Sequence, residues 1–87
     1  MKNHISIIIV NYNTPDETKD CLRSLDNLET WGFDYQVIVV DNGSKVPLKL
    51  SSNFLRHHPR VELITSASNL GFTGGNNLGI KHAANTY

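Results

Sequence analysis

The sequence predicts an α/β fold with three layers, α/β/α, around a parallel sheet, and two observations support this. Residues 5–10 and 35–40 are apolar runs rich in β-branched residues, with little alternation between apolar and polar positions. Such runs are typical of parallel strands that helices cover on both faces. Segments with helical spacing separate the strand-like runs, and this alternation implies right-handed crossovers between parallel neighbours.

The first strand is expected at residues 5–11, and a helix is expected to follow it closely. Thr14 is the expected N-cap of this helix, Pro15 its first residue, and Glu17 the partner that completes a capping box. Apolar side chains recur at helical spacing and are expected to face the sheet. They are Cys21, Leu22, Leu25 and Leu28.

The second strand is expected at residues 35–40, and Trp31 and Phe33 are expected to fill the corner before it. Ser51 or Ser52 is expected to cap one or two helical turns that carry Phe54 and Leu55 and stop at Pro59.

The third strand is expected at residues 61–65, followed by a turn-rich loop at residues 66–75. The last helix is expected to begin within residues 74–76 and to cross the opposite face of the sheet. The predicted strand order is 3-2-1. A complete doubly wound sheet would place a fourth strand beside strand 1, so we expect strand 1 to be an open edge and residues 1–87 to form a single partial domain.

Composition and charge argue against several functional classes. Eight basic and eight acidic residues give a formal net charge of zero, and neither sign forms a block. This argues against a basic face that binds nucleic acid. The longest apolar run is far below the ~20 residues of a membrane span. Because Cys21 is the only cysteine, no internal disulfide can form, and we expect a soluble, cytoplasmic protein.

A polar cluster follows each predicted strand. Because open α/β sheets bind ligands at the carboxyl ends of their strands, these clusters predict a binding crevice. The candidate binding residues are Asn11, Tyr12, Asn13, Asp41, Asn42, Ser44, Asn69, Gly71, Gly74 and Asn76.

Each cluster has a functional and a purely structural interpretation. The turn after strand 1 lacks the glycines of a dinucleotide site. Tyr12 and two amides in this turn could contact a base or sugar. Alternatively, these residues form an ordinary turn and helix cap. Asp41 and Asn42 can pair with a base edge or a ribose hydroxyl, or they form an Asx-turn closed by Gly43. The glycines around Phe72 can free backbone N–H groups for an anion, or they form a flexible loop.

Together the clusters resemble the amino-terminal, nucleotide-binding half of family 2 glycosyltransferases, which have the GT-A fold, a Rossmann-like nucleotide-diphospho-sugar transferase fold. The resemblance covers residues 5–83, and its third cluster looks most like bacterial rhamnosyltransferase-type enzymes that build surface polysaccharides. The matching pieces are Ser6-Ile7-Ile8-Ile9-Val10-Asn11-Tyr12-Asn13, Val37-Ile38-Val39-Val40-Asp41-Asn42-Gly43-Ser44, and Asn69-Leu70-Gly71-Phe72 leading into Asn77-Leu78-Gly79-Ile80 and Ala83.

The resemblance implies that Tyr12 lies against the base of a nucleotide-sugar donor. Asp41 and Asn42 would bind the base edge or the ribose, with Asn42 taking the direct contact in some members. Asn69, Gly71 and residues 74–77 would border the nucleotide. Some members use an arginine near the start of the last helix to contact the base, and the corresponding stretch here is Gly71-Phe72-Thr73.

The resemblance also implies the partners of the full-length enzyme. They would be a UDP- or dTDP-sugar donor, a glycan or lipid-linked acceptor, and a divalent cation, Mg²⁺ or Mn²⁺, that bridges the diphosphate. The full-length enzyme would be cytoplasmic or peripheral to the inner face of the membrane. No nucleic acid is expected among the partners.

The chain contains no Asp-x-Asp motif, which such enzymes carry after a fourth strand, and the catalytic base would lie further on. We therefore expect no catalytic or metal-binding residue here, and no transferase activity from the 87 residues alone. The four histidines match no zinc spacing. They are His4, His57, His58 and His82.

Two alternatives remain open from sequence. One is a non-catalytic truncated module that self-associates, as a homodimer, through the open edge of strand 1. The other is a fragment of a dinucleotide-binding oxidoreductase, which the glycine-free first turn argues against.

Overall fold

The computed structural model describes residues 3–27 and 33–86 and shows the predicted α/β fold. Three parallel strands form one sheet in the order β1-β2-β3, which is the predicted order. The strands are β1 (Asn3–Asn11), β2 (Phe33–Asn42) and β3 (Val61–Ser66). The helices are α1 (Pro15–Ser24), which a 3-10 turn (Leu25–Asn27) extends, α2 (Ser52–His57) and α3 (Gly71–Thr86).

The strand register brings the polar strand ends into one row. Asn11 of β1 is the partner of Asp41 of β2, and Asp41 is in turn the partner of Thr65 of β3. Because parallel strands end at the same edge of a sheet, the loops that follow all three strands begin side by side. Within the described sheet β1 pairs with β2 alone and so lies at the edge, as predicted.

Two separate hydrophobic clusters lie on opposite faces of the sheet. On one face Val37 and Val39 pack with Leu22 of α1, with Phe54 of α2, and with Leu48 of the loop between β2 and α2. Because side chains alternate along a strand, Ile38 and Val40 point to the other face, where they pack with Ala83 of α3. Residues 37–40 are at most 1 % exposed, which explains why this part of β2 has no polar residue.

Helix α1 corrects two predictions. Thr18, Leu22 and Leu25 face the sheet, so Cys21 lies about 100° around the helix from Leu22 and is exposed rather than buried. Thr14 occupies the N-cap position before Pro15 as predicted, but its side chain makes no capping hydrogen bond. The predicted capping box with Glu17 was therefore wrong in its hydrogen bonds.

Helix α2 begins and ends as predicted. The Ser51 hydroxyl accepts a hydrogen bond from the backbone N–H of Phe54 at 3.0 Å, and the helix ends at His57, two residues before Pro59. The predicted positions of Leu28 and Trp31, and of the Phe33 side chain, lie outside the described residues.

Helix α3 begins at Gly71, three to five residues before the predicted start, so much of the predicted loop is helical. Its glycines allow the helix to approach the sheet closely. A Cβ atom at Gly79 would lie 2.6 Å from Ile8 Cγ2, and one at Gly75 would lie 2.9 Å from Asn42 Nδ2. In the described residues, no helix has the length and apolar character needed to cross a membrane.

Candidate nucleotide-binding edge

The three polar clusters meet at the carboxyl edge of the sheet, where two hydrogen-bond networks join them. We call this region the carboxyl edge and define it by the segments that follow the strands, residues 11–14, 41–48 and 69–71. One network is centred on Asp41 and joins the loops after β1 and β2. The other is centred on Asn42 and joins β2 to the start of α3.

Asp41 is fully buried, and both of its carboxylate oxygens accept hydrogen bonds. Oδ1 accepts from Ser44 Oγ at 2.5 Å and from Asn11 Nδ2 at 3.1 Å, while Oδ2 accepts from the backbone N–H of Leu48 at 2.9 Å. Burial by itself raises the pKa of this carboxyl, but the hydrogen bonds from Ser44, Leu48 and Asn11 outweigh it and hold the pKa below its usual value. Asp41 is therefore a charged group that organises the loop after β2.

Asn11 connects this network to α1. Its side chain is 1 % exposed, and its amide donates to Asp41 and, at 3.2 Å, to the Ser44 hydroxyl. Its carbonyl oxygen accepts from Thr18 Oγ1 at 2.6 Å. A buried amide with these partners fixes the end of β1 against the helix.

Asn13 and Ser44 form a two-sided connection between the loops after β1 and β2. The backbone N–H of Asn13 donates to Ser44 Oγ, and the backbone N–H of Lys45 donates to Asn13 Oδ1, both at 2.9 Å. Asn13 has a φ of 55°, in the left-handed region that asparagine tolerates better than most residues. Tyr12 is thus held between two fixed residues while its own side chain is 42 % exposed.

Asn42 fixes the segment that leads into α3. Its side chain is 2 % exposed. It donates to Asn69 Oδ1 at 3.2 Å and to the Gly71 carbonyl at 2.9 Å, and it accepts from the Leu70 N–H at 3.0 Å. Asn69 in turn accepts from the Gly71 N–H at 2.7 Å.

The structure brings most of the predicted binding residues together, but not all. Asn11, Asn13, Asp41 and Ser44 share the first network, and Asn42, Asn69 and Gly71 share the second. Gly74 and Asn76 belong to α3 and join neither network, since Asn76 Nδ2 donates to the Phe72 carbonyl of its own helix. Tyr12, Asn13 and Asn69 are the exposed side chains of the set.

Two groups of the first network, the Thr18 hydroxyl and the backbone N–H of Leu48, were not among the predicted site residues. Thr18 is 4 % exposed and lies on the sheet-facing side of α1. A hydroxyl at a position of the buried stripe was a usable signal, because buried polar groups need partners. The Leu48 contact depends on the path of the loop and had no signal in the sequence.

The described residues do not fit a divalent cation. None of them form a group of three or more His, Cys, Asp or Glu side chains that could hold a metal ion. Asp41 already receives three hydrogen bonds, and His58 and His82 contact the carboxylates of Asp26 and Glu62 at 2.9 and 2.6 Å. No chemical step is therefore assigned to a metal in this part of the chain.

Comparison with known proteins identifies the family. The family model described as glycosyl transferase family 2 matches residues 6–87. The chain belongs to glycosyl transferase family 2. This confirms the family-level prediction, and the parallel three-stranded sheet agrees with part of a GT-A fold.

Two curated relatives place this family 2 chain among glycosyltransferases. It is 31 % identical over 83 residues to the low-salt glycan biosynthesis hexosyltransferase Agl10 of Haloferax volcanii, covering 95 % of this chain and 24 % of the relative. It is 29 % identical over 85 residues to the uncharacterized glycosyltransferase YibD of Escherichia coli, covering 98 % of this chain and 24 % of the relative. The chain thus spans about a quarter of each relative. No solved structure matches it significantly.

Family 2 membership favours the glycosyltransferase hypothesis over the dinucleotide-binding and self-association alternatives. The likeness to rhamnosyltransferase-type enzymes and the homodimer through β1 stay predictions.

Proposed function

We propose that this chain forms the nucleotide-binding part of a glycosyltransferase that transfers a sugar from a nucleotide-diphosphate donor to a glycan or lipid-linked acceptor. The observation that carries the proposal is the convergence of three polar loops at one sheet edge in a chain of family 2. Ligand binding at this edge is the general behaviour of open α/β sheets.

In this proposal Tyr12 is the contact surface for the base. Its ring is partly exposed, and the residues on both sides of it are fixed by hydrogen bonds. Because the backbone on both sides of Tyr12 is held in place, less conformational entropy is lost when a base stacks on its ring. Asn13 and Asn69 are the exposed amides that can donate to, or accept from, the base edge or the ribose.

Asp41 and Asn42 are proposed to act chiefly by shaping the edge. Both side chains are almost completely buried, and their polar atoms already have partners in the chain. A direct contact with the nucleotide would use a further lone pair of an already hydrogen-bonded oxygen.

The proposed donor carries UDP or dTDP, as the family resemblance implies, because an amide or carboxylate oxygen at this edge can accept a hydrogen bond from the imide N–H of a uracil or thymine ring. The turn after β1 argues against a dinucleotide. Dinucleotide sites place glycines in this turn so that the pyrophosphate can approach the helix N-terminus. Here the turn is Asn11-Tyr12-Asn13-Thr14.

The catalytic base and the metal-binding acidic motif are proposed to lie outside this chain. The 87 residues alone are then expected to bind part of a donor without transferring its sugar. A cytoplasmic location is part of the proposal, since Cys21 is exposed and has no cysteine partner in the sequence.

The test is sugar transfer by the full-length protein. It is incubated with UDP-, dTDP- and GDP-linked sugars and a divalent cation, and release of the nucleoside diphosphate is followed with and without candidate acceptors. The proposal expects turnover with a UDP- or dTDP-sugar. Turnover with the GDP-sugars alone would contradict the proposed donor class, and no turnover of any donor would contradict the proposed activity.

A further inference from the structure

A groove lined by lysines lies beside α1 and borders the carboxyl edge, with which it shares Asn13 and residues 45–48. It consists of two adjoining cavities of about 410 and 370 Å³, and Lys19 and Lys49 line both of them. Lys45 adds a third ammonium group to the larger cavity. We call these two cavities the lysine groove.

The lining of the lysine groove carries three positive charges in a chain whose formal net charge is zero. The described residues that line it include three lysines and neither aspartate nor glutamate. None of the three ammonium groups forms an ion pair with the described part of the chain. Asp20 of α1 instead pairs with Arg23 of the same helix at 2.6 Å. The lysines are therefore available to an anion.

The groove also presents apolar surface beside its charges. Val46 lies between Lys45 and Pro47 and is 80 % exposed, although a valine is usually buried. The smaller cavity is lined by Leu50 and Phe54 as well as by Lys19 and Lys49. An exposed aliphatic residue in a groove lined by lysines suits the interface of a bilayer, where lysines contact phosphates and apolar groups enter the acyl boundary.

We propose that the lysine groove docks the protein on anionic phospholipid headgroups of a membrane, with Val46 and Pro47 inserted at the headgroup level. Charge complementarity selects the phosphate, and the exposed Val46 selects a lipid surface over a soluble anion. Nucleic acid is less well matched, because no exposed aromatic side chain lines the described groove for base stacking.

The docking surface borders the proposed nucleotide site and shares Asn13 with it, but its three lysines and Val46 are assigned no contact with the nucleotide. It would hold the carboxyl edge near lipid-linked molecules, and it requires no contact with a nucleotide. A protein that binds membranes through this groove but lacks transferase activity would leave this inference standing and overturn only the proposed function.

The test is co-sedimentation of the full-length protein with vesicles. Vesicles of phosphatidylcholine alone are compared with vesicles that also contain phosphatidylglycerol. Binding is expected only when phosphatidylglycerol is present, and it is expected to weaken at high salt. Lys45→Gln is expected to weaken binding about fivefold, and replacing all three lysines by glutamine is expected to weaken it by about a hundredfold.

Lys81→Gln is the matched control, because it removes one positive charge from α3 on the opposite face of the sheet. It is expected to leave vesicle binding unchanged. Val46→Ser separates a lipid surface from a soluble anion, since it should weaken vesicle binding and leave any binding of inorganic phosphate or heparin unchanged. Circular dichroism confirms that each variant is folded.

Several outcomes would overturn the inference. They are equal binding to both kinds of vesicle, an equal loss with Lys81→Gln, and no effect of Val46→Ser. Heparin or inorganic phosphate binding as tightly as the vesicles, with the same dependence on the three lysines, would indicate a soluble polyanion instead.

Discussion

The hydroxyl of Ser44 accepts a hydrogen bond from the backbone N–H of Asn13 at 2.9 Å and donates one to the buried carboxylate of Asp41 at 2.5 Å. One side chain therefore connects the turn after β1 to the turn after β2. The position of Tyr12, which precedes Asn13, depends on this connection. The candidate site is thus built from loops that hold one another in place.

Ser44→Ala tests this connection. The variant removes a hydroxyl that bonds to Asp41, Asn13 and Asn11, and we expect it to lower the free energy of unfolding by about 2 kcal/mol. We also expect weaker nucleotide binding, because the turn that carries Tyr12 loses its restraint. Urea unfolding and nucleotide titration of the full-length protein measure the two effects.

Ser52→Ala is the control for this experiment, since Ser52 is exposed on α2. It should change neither stability nor nucleotide binding appreciably. Equal nucleotide affinity of Ser44→Ala and the wild type would show that the connection does not position the site.

Asn42→Ala tests the second network. It removes the amide that donates to Asn69 and the Gly71 carbonyl and accepts from the Leu70 N–H, so we expect a loss of about 2 kcal/mol of stability. The Leu70 amide should exchange with deuterium much faster than in the wild type. Asn77→Ala, at an exposed position of α3, should leave this exchange unchanged. Unaltered protection of Leu70 in Asn42→Ala would contradict the proposed anchoring.

Gly43 and Gly71 offer a comparison at equal backbone conformation, since both have a φ of 74°. Alanine at Gly71 would meet no atom within 4 Å, so only the left-handed conformation costs energy, about 1 kcal/mol. Alanine at Gly43 would in addition overlap the backbone of Ser68 and Asn69. We expect Gly43→Ala to destabilise by at least about 3 kcal/mol in chemical denaturation. Similar losses for the two variants would show that the loops do not approach closely here.

His58 predicts a pH-dependent contribution to stability. Its Nδ1 lies 2.8 Å from the Phe54 carbonyl and its Nε2 lies 2.9 Å from the Asp26 carboxylate. Both partners only accept, so the imidazolium is favoured, and the hydrogen bonds to Phe54 and then Asp26 raise the pKa of His58 above its ordinary value. Because the folded pKa is raised, the stabilisation is complete below the unfolded pKa of about 6.5 and is lost as the pH rises through the folded pKa.

Urea unfolding from about pH 5.5 to about pH 8.5 measures this contribution. His58→Gln should remove the part of the pH dependence that lies above pH ~6.5. His57→Gln, which removes the exposed histidine that precedes His58, should retain it. A wild-type profile identical to that of His58→Gln would contradict the assignment.

The sequence was sufficient for the order and direction of the strands, because buried parallel strands and their crossovers follow general rules. It did not predict which hydrogen-bond partner a residue takes when several suitable partners are near. Thr14 stands at a typical capping position, yet its hydroxyl donates a hydrogen bond to the side-chain oxygen Oδ1 of Asn11 at 3.4 Å instead of accepting one from the helix. The start of α3 was placed too late because its anchor, Asn42, lies 29 residues before Gly71 in the chain.

The candidate site shows the same limit. The clusters were found from sequence, since polar residues at strand ends are recognisable. The sequence did not show which of these residues are buried and which are exposed. The burial of Asp41 and the exposure of Tyr12 depend on the path of residues 43–48. Cys21 was predicted to be buried because it fits an apolar pattern. The buried side of α1 instead carries Thr18 and Leu22, and Cys21 is exposed.

In the proposed site, the carboxyl edge binds the base of a UDP or dTDP donor against Tyr12. Calorimetric titration of the full-length protein with UDP, dTDP and NAD, with Tyr12→Ala and Tyr12→Phe as variants, measures this contact. We expect UDP or dTDP to bind more tightly than NAD, Tyr12→Ala to weaken this binding about tenfold, and Tyr12→Phe to retain it. Tighter binding of NAD, or unchanged affinity in Tyr12→Ala, would contradict the proposed site.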